Sequence, residues 1–155
     1  MKETAFVVLY HVNGERGCDT EVVLIKQRRG SGMSIEIPGG HVNPDEMVRD
    51  AAARELHEET GITVASRTLH YVGGAKIRNR SGSLAHVFSR NLSAREFEKV
   101  QRIIDKGKPR GADEDEEIFL MKAKIRSIES GDVSVDWITA GMILKAYNLY
   151  KAFYQ

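Results

Sequence analysis

The chain has 155 residues, 41% hydrophobic and 29% charged, and its 23 Lys and Arg against 22 Asp and Glu leave a formal net charge of +1. That is the size and balance of one soluble domain, 1–155, with no general attraction to nucleic acid or to an anionic membrane, so a small partner is expected. Cys18 is alone, which excludes an intrachain disulfide and suits a reducing compartment; with no run near the ~18 apolar residues of a span and no cleavage-like site in "MKETAFVVLYHV", the expected location is the cytoplasm.

In chain order, "TAFVVLYHV" and "EVVLIKQ" are β-branched runs separated by "NGERGCD", which predicts a hairpin or neighbouring strands. "SIEIPGG" reads as a short strand ended by Pro38 and a tight glycine turn. Asn43-Pro44-Asp45 then looks like a helix entry, with Asn43 as cap and Pro44 in the first turn, and the helix runs to Thr60 before Gly61 stops it. Strands are predicted around "TVASRTLHYVGGAKI" and "SLAHVFSRNL". "SAREFEKVQRIIDKG" has a Ser cap, Glu three positions on and apolar residues at helical spacing. The acidic tract "ADEDEE" leads into the strand "IFLMKAKI", and a last helix spans about Asp136 to Phe153. Its Trp137, Tyr147, Tyr150 and Tyr154 read as core or as a dimer interface, which leaves a homodimer open.

The first helix carries the chemistry. At about 100° per residue, Glu55, Glu58 and Glu59 fall within an arc of roughly 100° one turn from its end. There the backbone dipole disfavours acid, so helix propensity does not explain them. As a solvated stripe they would cost only a few tenths of a kcal/mol. In a cleft of effective dielectric ~20 each pair, ~6 Å apart, would repel by roughly 3 kcal/mol, and a cation would be required. Clustered hard oxygens suit Mg²⁺ or Mn²⁺, and no Cys/His zinc spacing is present. Pro38-Gly39-Gly40, free of bulky side chains, lets backbone approach a ligand or offer a carbonyl to a metal, although such a triplet is also an ordinary turn. Arg54 is placed to pair with Glu58 one turn on or to touch substrate.

Gly40, Glu46, Arg54, Glu55, Leu56, Glu58, Glu59, Gly61 and Ile62 fill every fixed position of G-x5-E-x7-R-E-U-x-E-E-x-G-U, where U is bulky and apolar. The segment resembles the Nudix box, and an accidental match has odds on the order of 10⁻⁷. The resemblance implies an α/β fold, a Nudix-type α/β/α sandwich with a mixed β-sheet. It implies hydrolysis of a nucleoside diphosphate linked to another moiety, with Mg²⁺ or Mn²⁺ as cofactor. Glu55 and Glu59 would be the principal metal ligands, Glu58 would share or bridge, and the Gly39 carbonyl would be a further ligand. Glu46 and Arg54 would support the loop and helix.

Outside the box, "ADEDEE", "KQRR" and "SIEIPGG" resemble segments of the ADP-ribose pyrophosphatase subgroup. That likeness implies Glu114 as general base and Glu116 as metal ligand, with Glu58 and Arg54 completing the catalytic set. Arg29 would hold a phosphate and Glu36 a nucleoside or ribose hydroxyl, with Gly40 lining the substrate site. The same likeness makes "IESGDVSVDWITAGMILKAYNLY" a closing strand and helix. A proline that many of those enzymes carry beyond the box is replaced by Arg78, a departure that keeps modified nucleoside triphosphates, dinucleoside polyphosphates and RNA 5′ ends as alternative substrates. A different class, a nucleotide-sensing module without catalysis, would be expected to have lost a box glutamate, and none is missing here.

Overall fold

The computed structural model describes residues 2–14, 17, 19–77, 82–107 and 117–154, with the side chains at 29, 75–77 and 153–154 outside the description. Its strands are β1 (Glu3–His11), β2 (Glu21–Arg29), β3 (Gly32–Glu36), β4 (Gly39–His41), β5 (His70–Ile77), β6 (Ser83–Asn91) and β7 (Ile118–Lys124). They form one sheet in the order β3-β2-β1-β6-β5, with β4 added to β1 and β7 to β2. The β1–β6 pair is parallel and the other pairs are antiparallel, so the sheet is mixed.

Alternation along the strands explains the layers, because successive side chains point to opposite faces. Val7 and Leu9 of β1, Val23 and Ile25 of β2 and Phe88 of β6 enter one core with Leu56 and Val100. Those two belong to helices α1 (Val48–Thr60) and α2 (Ala94–Lys106). Val8 and Tyr10, Val22 and Leu24, and Val87 enter the opposite core with Ile128, Ile143 and Ala146. These last three lie on α3 (Ile125–Glu129) and α4 (Trp137–Tyr154). Helices therefore cover both faces, and the architecture is the expected α/β/α sandwich. Each fully buried Leu or Ile in these cores contributes about 1.5–3 kcal/mol.

The sheet divides where the site will form. β1 pairs with β2 at its far end, Tyr10 with Val22 and His11 with Glu21, and with β4 near its start, where Ala5 faces Gly40 and Phe6 faces Gly39. Between them Val7 N–H donates to the Pro38 carbonyl at 2.9 Å. Gly39 and Gly40 thus belong to a three-residue strand, where the sequence predicts a tight turn. Backbone contact requires glycine: a Cβ on Gly39 would collide with the Ala5 carbonyl and the Phe6 ring.

Two further expectations change and a third is narrowed. Helix α1 starts at Val48, with Met47 as an N-cap that makes no side-chain cap bond. Asn43 to Glu46 instead form a separate turn, closed by Glu46 N–H to the Asn43 carbonyl at 3.2 Å, with Asp45 at φ 64°. The predicted closing strand is absent among the described residues; Ile125 leaves β7 to start α3, and residues 130–136 run as turn and coil into α4. Of the core and interface alternatives for the last helix, the core is excluded for Trp137, which is 83% exposed, whereas Tyr147 is buried.

Candidate active site

Small residues bring α1 close to the divided sheet. Ala51, Ala52 and Leu56 are fully buried in the core that also holds Ala5 and Val7. This sets Glu55, one turn along from Ala51, and Glu59, one turn further, against β4. Gly40 lies under Glu55: a Cβ there would stand 2.5 Å from the Glu55 carboxyl carbon. The Gly39 N–H donates to Glu59 Oε2 at 2.9 Å. The helix ends sharply behind them, with Gly61 at φ 74° donating to the His57 carbonyl and the buried Thr60 hydroxyl donating to the Leu56 carbonyl.

Arg54 is the hub. Its Nε and Nη2 donate to the two oxygens of Glu46 at 2.8 and 3.0 Å, and its Nη1 to Glu55 at 2.8 Å and to Glu58 at 3.0 Å. Nη2 also donates to the His41 carbonyl at 2.8 Å, which ties the helix to the end of β4. Glu46 accepts in addition from the Asn43 N–H at 2.9 Å and so closes the turn before α1. The hydrogen bond from Arg54, reinforced by the one from Asn43 and opposed by burial, holds the Glu46 carboxyl below the usual carboxylate range. The Glu46 and Glu55 carboxylates hold Arg54 firmly protonated against the opposing effect of burial. The predicted Arg54–Glu58 pair is present, and the support role of Glu46 and Arg54 has a concrete form.

One guanidinium thus serves Glu46, Glu55 and Glu58, and Glu59 accepts from the Gly39 N–H. The all-oxygen donors of this cluster match a hard divalent cation. Glu55 and Glu59 are part-buried and Glu58 is half exposed. Among the described residues no three acidic or imidazole side chains converge into a ready-made cage. As ligands, Glu55 and Glu59 would exchange Arg54 and the Gly39 N–H for the ion.

Glu36 stands on the same sheet face as α1. It pairs across strands with Ile25, and Ser34 donates to its Oε1 at 3.0 Å. Arg29 closes the β2–β3 ladder opposite Gly32, its side chain outside the description. Glu114 and Glu116 lie outside the described residues, as do Arg78 and Cys18.

Two features escaped the sequence reading. Arg28 Nε donates to Glu117 Oε2 at 2.5 Å, placing the last residue of the acidic tract beside the strand end that carries Arg29. Only their membership of "KQRR" and "ADEDEE" hinted at it. Gln27, opposite Ser34 and Ile118, has a buried side-chain oxygen with no hydrogen-bond partner among the described residues. It shares the Glu36 face, and a polar residue in an alternating strand gives no sequence signal of that.

The NUDIX domain family model matches residues 1–122. The chain belongs to the Nudix family. A 70-residue stretch is 37% identical to YtkD of Bacillus subtilis (strain 168), a protein provisionally named an 8-oxo-dGTP diphosphatase; the match covers 45% of this Nudix chain and 40% of the relative's length. A mutT/nudix family protein from Listeria innocua has the same fold at TM-score 0.70 and 20% identity, covering 97% of this chain and 94% of that one. The NUDIX domain of Shewanella oneidensis NrtR, solved with ADP ribose, superposes at TM-score 0.66 and 14% identity over 95% of this chain and 86% of that one.

Proposed function

We propose that this Nudix protein is a divalent-metal-dependent pyrophosphohydrolase that cleaves the phosphoric anhydride of a nucleoside diphosphate linked to another moiety. The observation that carries the reading is the intact acidic face of α1: Glu55 over Gly40, Glu59 on the Gly39 N–H and Glu58 beside Arg54. A pyrophosphate repels a hydroxide nucleophile, and Mg²⁺ or Mn²⁺ held by Glu55, Glu58, Glu59 and the Gly39 carbonyl would neutralise that charge and acidify water. Arg54 works behind these groups, fixing the directions of Glu55 and Glu58 and locking the turn through Glu46. Its guanidinium is committed to protein acceptors, which favours positioning over substrate contact. Glu36 offers a carboxylate oxygen to a sugar hydroxyl. Glu114 as general base and Glu116 as a further ligand rest on the resemblance of the acidic tract.

For the group attached to the diphosphate, ADP-ribose or a related nucleotide sugar is the first reading, supported by Glu36 on the α1 face and by Glu117, the last residue of the acidic tract, paired with Arg28 of β2. A modified nucleoside triphosphate is the second, favoured by the name of the Bacillus relative. The protein would act as a single domain on a small, freely diffusing substrate. The test is product release from ADP-ribose, nucleotide sugars, 8-oxo-dGTP, dinucleoside polyphosphates and capped RNA with Mg²⁺ or Mn²⁺. AMP and ribose 5-phosphate from ADP-ribose at the highest kcat/KM support the first reading, and 8-oxo-dGMP at the highest supports the second. No metal-dependent turnover of any of these would defeat both and leave a nucleotide-sensing module.

A further inference from the structure

A recess of about 260 Å³, with neither Glu55 nor Gly40 in its lining, opens between the chain leaving α1 and helix α2. Its floor is apolar: Ile62, Val64, Leu92 and Val100 line it and belong to the core on that side of the sheet, with Ile103 partly buried at its edge. Charge sits at the mouth, where Arg90, Glu96 and Lys99 line the same recess.

These charges are unequally engaged. Glu96 has both oxygens occupied, one by Arg90 Nη2 at 2.5 Å and the other by the Ser93 N–H at 2.8 Å. Lys99, three residues beyond Glu96 and hence on the same side of α2, makes no ion pair or hydrogen bond among the described residues. The mouth therefore carries two cations and one carboxylate that is already spent. A purely apolar occupant would cover Lys99 without compensating it, and a polar one would waste the floor. The complementary guest has an apolar body and one anionic head.

We propose that the α1–α2 recess is a binding site for a small amphipathic organic anion, its body on Ile62, Val64 and Ile103 and its head at Lys99 and Arg90. The volume limits the body to a short acyl chain or a single ring. The site adjoins Gly61 and Ile62, which directly follow the turn bearing Glu58 and Glu59, so an occupant would press on the C-terminal end of the acidic helix. The inference is independent of the proposed hydrolysis, since it is read from binding.

The test is methyl NMR titration of the full chain with hexanoate and with hexyl phosphate. Hexanol serves as the uncharged control, and acetate and inorganic phosphate as heads without a body. Saturable shifts confined to the Ile62, Val64, Leu92, Val100 and Ile103 methyls are expected for both long-chain anions and for none of the controls. Whichever head binds tighter identifies a carboxylate or a phosphate ester as the guest. Lys99→Gln, an exposed substitution, should weaken binding about fivefold, as loss of a partly exposed charge pair does. Hexanol binding as tightly as hexanoate, shifts scattered over other methyls, or an unchanged Lys99→Gln affinity would each overturn the proposal.

Discussion

Helices α1 and α2 are both 13 residues long and pack on the same face of the sheet, yet they are built by different rules. Helix α2 is locally self-sufficient: the Ser93 side chain accepts from the Glu96 N–H, Glu96 reaches back to the Ser93 N–H, and its apolar residues face inward. Helix α1 has no side-chain cap and carries its acids toward the C-terminal end, where the dipole is unfavourable. Its start is held from a distance by the Arg54–Glu46 fork and the His41 carbonyl. The contrast teaches that α2 serves stability, whereas α1 gives up local stability to present carboxylates and is braced by tertiary contacts.

The largest effect expected from that contrast is on turnover. Glu59→Gln should lower kcat on the order of 10³-fold, the scale for losing a charge-stabilising group, with circular dichroism and Tm nearly unchanged. Gly40→Ala comes next: the added methyl would displace the Glu55 carboxylate, and a loss of roughly 10²-fold is expected, larger than any change in melting.

How much of this was legible follows the same division. β1, β2, β6, β7 and α2 were readable because alternation, helical periodicity and the capping box are local signals, and so was the Gly61 stop of α1. The start of α1 was misplaced because Asn43 and Pro44 imitate a cap, while Arg54, eight residues beyond Glu46, decides where the turn ends. Gly39 and Gly40 look like a turn, and only their pairing with Phe6 and Ala5 makes them a strand. The three helix glutamates were legible as a cluster from the 3.6-residue period; their contacts with Gly39 and Gly40 depend on a long-range register that no local pattern encodes.

Smaller effects sharpen the comparison through stability. Arg54→Gln leaves part-buried Glu46 and Glu55 without their cation and should cost about 2 kcal/mol in urea unfolding, together with most of the activity. Ser93→Ala in α2 should cost about 1 kcal/mol and leave kcat/KM intact; equal activity losses in these two variants would erase the distinction between the helices.

The pH dependence should be the mildest effect. Glu46 has its carboxyl lowered by Arg54 in the folded state, so its contribution is fully present above the ordinary carboxylate value and is lost as pH falls below it. Below about pH 4, stability should decline more steeply in the parent protein than in Glu46→Gln, as followed by urea midpoints.

Whether the acidic face of α1 is a divalent-metal centre can be read without substrate, by Mn²⁺ titration followed by electron paramagnetic resonance. Saturable Mn²⁺ binding by the parent protein is expected, weakened at least about tenfold by Glu59→Gln, as loss of one carboxylate ligand should, and unaffected by Ser93→Ala. Equal Mn²⁺ affinity in the parent protein and Glu59→Gln would contradict a metal centre on that face.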